Sequence, residues 1–272
     1  MSFSDWRVGF SLKSGWRVFL GSALLLVISY IIYLLRYPLW WRFTSVEQVF
    51  AMLIMSYAVV LILALFLLRK DSKKLLSNVF KMTSPDMVLV GVIFALLDLG
   101  LWYLISFAIG SRFEFTSFPS LRGYENYAVY SLPLTFALYL AFSIFGAFAE
   151  EVAYRGFVQT RVSSRYGYVL GIFVATLFFS LQHIHIFEPS WIERFFQTQF
   201  IHIWFFGIFV GYLFFKSKEN IWCVFAMHDL GNIFNVSIPI VVATAFPFSN
   251  QFATIATFVL MIAVLKLVKF RF

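Results

Sequence analysis

Long, uninterrupted apolar blocks are the feature of this sequence that most restricts its fold. A helix needs about 20 consecutive apolar residues to cross the hydrocarbon core of a bilayer. Several blocks of that length follow one another along the chain, in which 61% of the residues are hydrophobic and 12% are charged. Soluble domains carry about a quarter of charged residues. The blocks therefore predict an integral membrane protein.

The same blocks predict helices rather than transmembrane strands, because they lack the alternation of apolar and polar residues typical of a membrane β-barrel. We therefore expect an all-α, polytopic integral membrane protein with about eight transmembrane helices. The predicted spans are 18–35, 45–68, 87–110, 129–152, 167–187, 199–215, 220–246 and 251–268. Because no internal repeat and no long polar linker is present, residues 1–272 are predicted to form a single transmembrane domain.

The basic residues indicate an orientation in the membrane. If the N-terminus is inside, all but five of the 21 Lys and Arg residues are inside as well; the exceptions are Arg36, Arg42, Arg112, Arg122 and Arg194. Cytoplasmic loops are enriched in Lys and Arg, so both termini are predicted to be cytoplasmic. The basic N-terminal stretch leads into a full-length apolar segment, so we expect the first span to be retained.

The net charge of +8 does not indicate a nucleic-acid partner, because the basic residues lie in short loops and at helix ends. The expected partners are membrane lipids and a membrane-associated or lipidated peptide or protein substrate. Cys223 is the only cysteine, which excludes an intramolecular disulfide and a cysteine pair for a metal.

Two adjacent glutamates stand at the end of the fourth predicted span. Glu151 and Arg155 are four residues apart and share one helix face, which predicts an ion pair. Glu150 points about 100° away around the helix axis and is left for another role. The alternative is that both glutamates only mark a cytoplasmic helix end.

A histidine in the fifth predicted span is expected at the same depth as Glu150. The turn between spans four and five is predicted near Arg165 to Gly167, and Glu150 and His183 each lie about 16 residues from it. An antiparallel pair of helices therefore places the two side chains level with one another. A lone buried histidine is more often structural, so His183 is a catalytic candidate only in combination with the polar residues near it.

The seventh predicted span carries a polar stripe, in which His228 and Asn232 stand four apart on one helix face. In a membrane such groups also serve helix packing through interhelical hydrogen bonds. Asp98, His202 and Asp229 are further ionisable groups within the spans, to which we assign no role. Gly207 and Gly211 in the sixth span predict close helix packing.

Together, one unpaired carboxylate, two histidines and an amide have the chemistry that water attack on a peptide bond requires. A carboxylate takes a proton from water, a histidine passes a proton to the leaving amine, and donors stabilise the oxyanion. A covalent nucleophile has no good candidate, because no serine lies in a GxSxG elbow and Cys223 has no basic partner at helical spacing.

These residues form three motifs that resemble the CAAX-protease and bacteriocin-processing family, also called the Abi family, of intramembrane glutamic endopeptidases. EExxxR matches Glu150, Glu151 and Arg155, FxxxH matches Phe179 and His183, and HxxxN matches His228 and Asn232. The three motifs occur in order within a core of about residues 130–236, whereas the first 125 residues carry none.

The resemblance implies an eight-helix fold and an intramembrane peptidase, similar to the CAAX prenyl endopeptidase, that needs no cofactor. It implies that Glu150 and His183 activate water, that His228 and Asn232 form the oxyanion site, and that Glu151 and Arg155 support them. Three alternatives remain open. Two carboxylates and two histidines also suit zinc, a family member can be a non-enzymatic scaffold or bacteriocin-immunity protein, and buried ionisable groups also occur in transporters.

Overall fold

The computed structural model describes residues 15–40, 45–71, 77, 80, 85–115, 132–183, 200–237, 240–243 and 248–268. Its helices are α1 (Gly15–Trp40), α2 (Val46–Asp71), α3 (Pro85–Ala108), α4 (Leu132–Glu150), a π-helix (Glu151–Gln159), α5 (Thr160–Tyr166), α6 (Tyr168–Gln182), α7 (Phe200–Lys216), α8 (Ile221–Ser237) and α9 (Ser249–Leu267). Because α4, the π-helix and α5 run end to end, the described residues form eight helical segments, and each overlaps one predicted span.

Four of these segments are long and apolar enough to cross a membrane: Glu47–Arg69, Pro85–Ala108, Phe136–Tyr166 and Ser249–Leu267. The shorter apolar helices are Leu20–Ile32, Tyr168–Gln182, Phe200–Lys216 and Ile221–Phe234. The prediction of an all-α, multi-pass integral membrane protein is confirmed. Eight membrane crossings remain a prediction.

The outer faces of the helices are apolar. On α2 the exposed large side chains are Met55, Val59, Ile62 and Phe66, which recur every three or four residues along one side of the helix. A continuous apolar stripe on the outside of a protein favours contact with lipid rather than water. The buried side chains include several charged ones, so polarity is concentrated in the interior.

The π-helix lies at the centre of the fold. It packs against α1, α2, α6, α7 and α8, and all nine of its residues are buried. One apolar core surrounds it, with members that include Leu25 of α1, Phe94 of α3, Phe209 of α7 and Phe258 of α9. This arrangement positions Glu150 and Glu151, at the start of the π-helix, among the other helices.

The turn between α5 and α6 lies where the sequence predicts it. Gly167 separates the two helices and has a φ of 90°, a backbone conformation that glycine adopts readily. The glycines of α7 pack closely, as predicted, because a Cβ built on Gly207 would lie 2.8 Å from Thr176 Cγ2, and one on Gly211 would lie 2.9 Å from Gln159 Oε1. The helices around the π-helix therefore approach one another at small residues.

The seventh predicted span, 220–246, is wrong beyond Ser237. Helix α8 ends there, and Ile240–Ala243 forms strand β2, which pairs antiparallel with strand β1 (Arg112–Phe115) in the register Arg112↔Ala243. Proline lacks an N–H and disfavours the helical conformation of the residue before it, so the sequence itself does not favour a helix through position 239. The β-branched residues that follow favour a strand.

The predicted orientation depends partly on residues outside the described ranges. Arg7 and Lys13 of the N-terminal tail, most of the 69–81 connection, Arg42, Arg122 and Arg194 lie there. Cytoplasmic termini therefore stay a prediction.

Gly91→Ala is expected to destabilise the protein through the contact between α3 and α8. A Cβ built on Gly91 lies 2.1 Å from the backbone carbonyl oxygen of Cys223, so the helices must move apart. Overpacking of this kind costs about 1–3 kcal/mol. The measurement is the thermal unfolding temperature in detergent. Gly100→Ala is the matched control on the same helix, because no described atom lies within 4 Å of its Cβ position; an equal effect of both variants would contradict the clash.

Candidate active site

The adjacent glutamates mark the point where α4 changes into the π-helix. Glu150 is the last residue of α4 and Glu151 is the first of the π-helix. The wider winding ends at Thr160, whose backbone N–H donates to the carbonyl oxygen of Arg155, five residues earlier. Turns of π-helix inside longer helices are frequent at functional sites. Both glutamate side chains are buried, and they contact different sets of groups.

The Glu150 carboxylate is held by two donors on one oxygen. The Tyr57 hydroxyl donates to Oε1 over 3.0 Å, and the Gln182 amide Nε2 donates to the same oxygen over 2.6 Å. Tyr154 in turn donates its hydroxyl to Gln182 Oε1, which fixes the orientation of that amide. Oxygen Oε2 lies 3.6 Å from His228 Nε2. One carboxylate oxygen is thus anchored, and the other faces a histidine.

Glu151 forms the predicted ion pair with Arg155. Arg155 Nη1 lies 3.0 Å from Glu151 Oε1, and the two side chains are 1% and 0% exposed. The guanidinium also lies 4.7 Å from the centre of the Phe179 ring, and its Nη2 donates to the Gly207 carbonyl oxygen over 3.5 Å. A buried charge needs such partners, because an unpaired one is strongly destabilising.

His183 lies beside Glu150, as the depth argument predicts. Its Nε2 is 4.0 Å from Glu150 Oε1, and its side chain is 30% exposed. Its Nδ1 lies 2.8 Å from the Phe179 carbonyl oxygen. A carbonyl oxygen only accepts, so Nδ1 carries a proton, and in the neutral form of the ring Nε2, which faces Glu150, is the unprotonated nitrogen. Phe179 therefore sets the tautomer of His183 through its backbone.

His228 lies between the two glutamates. Its Nδ1 donates to Glu151 Oε1 over 2.7 Å, while its Nε2 faces Glu150 Oε2. The Phe206 ring packs edge-on against the imidazole at 4.9 Å between ring centres. Glu151 thus orients His228, in the way that an outer carboxylate fixes a functional histidine.

The Asn232 side chain makes no hydrogen bond to the described residues of this cluster. It lies one turn beyond His228 on α8, and its backbone carbonyl oxygen accepts a hydrogen bond of 3.2 Å from Tyr139. The side chain is half-buried, and its amide makes no hydrogen bond to any residue that the structure describes. The structure thus brings together Glu150, Glu151, Arg155, His183 and His228, with Asn232 on the adjacent turn.

The sequence analysis missed Tyr57, Tyr154 and Gln182. Gln182 and Tyr154 each stand next to a motif residue, His183 and Arg155, and that adjacency is the one signal that favoured them. Tyr57 lies within an apolar span and carries no signal in the sequence.

Two ionisable groups with no assigned role have structural contacts: Asp229 accepts a hydrogen bond of 2.8 Å from Ser143, and His202 packs against Phe258.

The zinc alternative depends on a set of ligands that converge. Among the described residues, no three His, Cys, Asp or Glu side chains are arranged to hold a metal ion. In the glutamate and histidine cluster, Glu151 Oε1 is already bonded to Arg155 and His228. Metal dependence remains a question for a chelator experiment.

Residues 132–234 match the family model of the type II CAAX prenyl endopeptidases, described as Rce1-like. The match confirms the family resemblance that the three motifs indicate, over a little more than a third of the 272 residues. It begins at α4 and ends within α8, so it covers the whole glutamate and histidine cluster except Tyr57. No curated protein matches the chain.

Proposed function

We propose, from the match of residues 132–234 to the Rce1-like prenyl endopeptidases, that this integral membrane protein is an intramembrane endopeptidase of the glutamate type. Its substrate is a lipid-anchored or membrane-bound peptide or protein, cleaved near the membrane surface. The observation that carries the proposal is the buried Glu150 carboxylate, with the Nε2 atoms of His183 and His228 at 4.0 and 3.6 Å.

Glu150 and His183 activate the attacking water in this proposal. The distance of 4.0 Å between Glu150 Oε1 and His183 Nε2 exceeds a direct hydrogen bond but allows one water to bond both atoms. The carboxylate accepts a proton from that water while the water oxygen attacks the carbonyl carbon of the peptide. The proton that Glu150 accepts passes to Nε2 of His183, which is partly exposed and delivers it to the leaving amine as the C–N bond breaks, so the products are a carboxylic acid and an amine.

His228 and Asn232 stabilise the oxyanion. The Nδ1–H of His228 donates to Glu151, so its Nε2 donates only from the imidazolium form. The Asn232 amide supplies a second donor from the adjacent turn once substrate is bound. Donors aimed at the developing negative charge commonly account for a factor of about 10²–10³ in rate. Tyr57 and Gln182 act as positioning residues, because both donate to Oε1, the oxygen of Glu150 that binds the water in this proposal.

The test is cleavage of a fluorogenic prenylated peptide by the protein purified in detergent with excess chelator. We expect wild-type cleavage to persist, and His183→Ala to reduce it by about 10²–10⁴-fold. Loss of wild-type activity in chelator, with recovery on addition of zinc, would favour the metalloprotease instead. Full activity of His183→Ala would remove the histidine from the mechanism, and a protein inactive on all membrane peptides would favour the scaffold or immunity role.

Tyr57→Phe is expected to lower kcat by about tenfold or more without unfolding the protein. The substitution removes one donor to Glu150 Oε1, and a hydrogen bond to a charged group contributes about 1.5–3 kcal/mol. Tyr103→Phe is the matched control, because its ring packs on Phe113, away from the glutamates. Steady-state cleavage compares the two variants. Equal activities would show that Tyr57 does not position the carboxylate.

A further inference from the structure

Gly231 occupies a position in α8 where a glycine is unexpected. It lies within the helix, and glycine there is less favourable than alanine because it loses more conformational freedom on folding. Its backbone does not require glycine, because Gly110 and Gly167 are the described glycines with positive φ. The backbone conformation therefore does not explain why position 231 is a glycine.

Close helix packing also gives no reason for Gly231. Most described helical glycines stand against a neighbour, with an atom 3.4 Å or less from a Cβ built on them: Gly21, Gly91, Gly146, Gly171, Gly207 and Gly211. No described atom lies within 4 Å of the corresponding position on Gly231. The same holds for Gly100, but Gly100 is exposed on the outer side of α3, whereas Gly231 is half-buried. Among the described residues, Gly231 thus has open space beside it at a half-buried position of α8.

This space adjoins the proposed catalytic groups. Gly231 follows His228 by three residues, so the two lie on the same side of α8, one turn apart. Asn232 is the next residue, and its half-buried amide has no hydrogen-bond partner among the described residues. An amide carries both hydrogen-bond donors and an acceptor, so a polar ligand satisfies it better than a lipid chain does. A peptide backbone supplies both the donors and the acceptors that such an amide requires.

We propose that the main chain of the peptide substrate passes over Gly231, and that the absent side chain there sets the size of the residue accepted next to the cleaved bond. The inference rests on the proposed peptidase function. Without a Cβ on α8, the peptide approaches His228 and Asn232 closely enough for its carbonyl oxygen to reach both. A larger residue at 231 fills the space that the substrate side chain needs.

The first test compares two fluorogenic prenylated peptides that carry Ala or Trp directly after the cleaved bond. Mass spectrometry of the products identifies which bond is cleaved. We expect Gly231→Leu to lower kcat/KM for the Trp peptide at least about tenfold more than for the Ala peptide. Gly100→Leu, which also adds a side chain at an open helical glycine, is expected to leave both values unchanged. Equal losses for the two peptides, or no loss, with an active wild type would overturn the inference.

A second measurement does not depend on catalysis. Gly231→Cys and Gly100→Cys are made in a Cys223→Ala background, since the native thiol is buried, and are labelled with a small maleimide in detergent. We expect the uncleaved prenylated peptide to protect position 231 and not position 100. If the peptide protects position 231 but the wild type does not cleave, the peptide binds over Gly231 and the protein is not a peptidase for it. If position 231 is not labelled, or if the peptide does not slow its labelling, the peptide does not pass over Gly231. This outcome would overturn the inference even if the wild type cleaves the peptide.

Discussion

Glu150→Gln is expected to reduce peptide cleavage by about 10²–10⁴-fold while the protein stays folded. Glutamine has nearly the same size as glutamate, and its amide oxygen still accepts the hydrogen bond that Tyr57 donates over 3.0 Å. The amide cannot accept a proton from water at neutral pH, so the substitution removes the proposed base and little else. Cleavage of the prenylated peptide in detergent measures the effect, and thermal unfolding verifies the fold.

The control for this variant is Glu47→Gln, which makes the same chemical change at an exposed position in the first turn of α2. It is expected to cleave at the wild-type rate. Substantial activity of Glu150→Gln would assign the base elsewhere, with Glu151 as the next candidate. A loss of folding in Glu150→Gln alone would indicate that the carboxylate has a structural role.

Arg155→Met is expected to destabilise the protein by about 3–5 kcal/mol. Arg155 is among the largest fully buried side chains, and its guanidinium forms the ion pair with Glu151. Methionine retains part of the apolar contact with Phe179 but leaves the Glu151 carboxylate buried without its cation. The midpoint of thermal unfolding in detergent measures the loss.

The double variant Arg155→Met with Glu151→Gln is expected to recover most of this stability, since no uncompensated carboxylate then remains at that position. The amide oxygen that Glu151→Gln introduces can still accept from His228 Nδ1, so the orientation of His228 is retained. Arg165→Met at the exposed end of α5 is the matched control and is expected to have little effect. If the double variant is no more stable than Arg155→Met alone, the loss comes from packing rather than from charge.

Several features of the candidate site could be predicted from local sequence spacing. The distance of four residues between Glu151 and Arg155 predicts their ion pair, because it is close to one helical turn. Glu150 and His183 each lie about 16 residues from the turn near Arg165 to Gly167, which predicts that the two side chains lie level, and Glu150 Oε1 and His183 Nε2 are 4.0 Å apart. Both predictions depend on spacing along a helix, and the spacing of four residues still brings Glu151 and Arg155 together in the wider π-helix.

Other features could not be predicted, because they depend on how separate helices pack. Tyr57 reaches Glu150 across 93 residues of sequence, and no pattern in its apolar span distinguishes it from a lipid-facing tyrosine. The strand Ile240–Ala243 forms because Arg112–Phe115 lies beside it to pair with its backbone. Asn232 matches its motif, yet only the tertiary structure shows that its amide makes no hydrogen bond to Glu150 or Glu151.

By itself, the sequence determined that this chain enters a membrane as helices and that its three motifs carry acid, base and amide groups. The physical reason is that apolar length and helical period are local properties of a chain in lipid. The tertiary structure decided which oxygen of Glu150 is anchored, which nitrogen of each histidine faces the carboxylate, and that no described atom lies within 4 Å of a Cβ built on Gly231. Those details depend on the directions of side chains from different helices, and packing alone sets them.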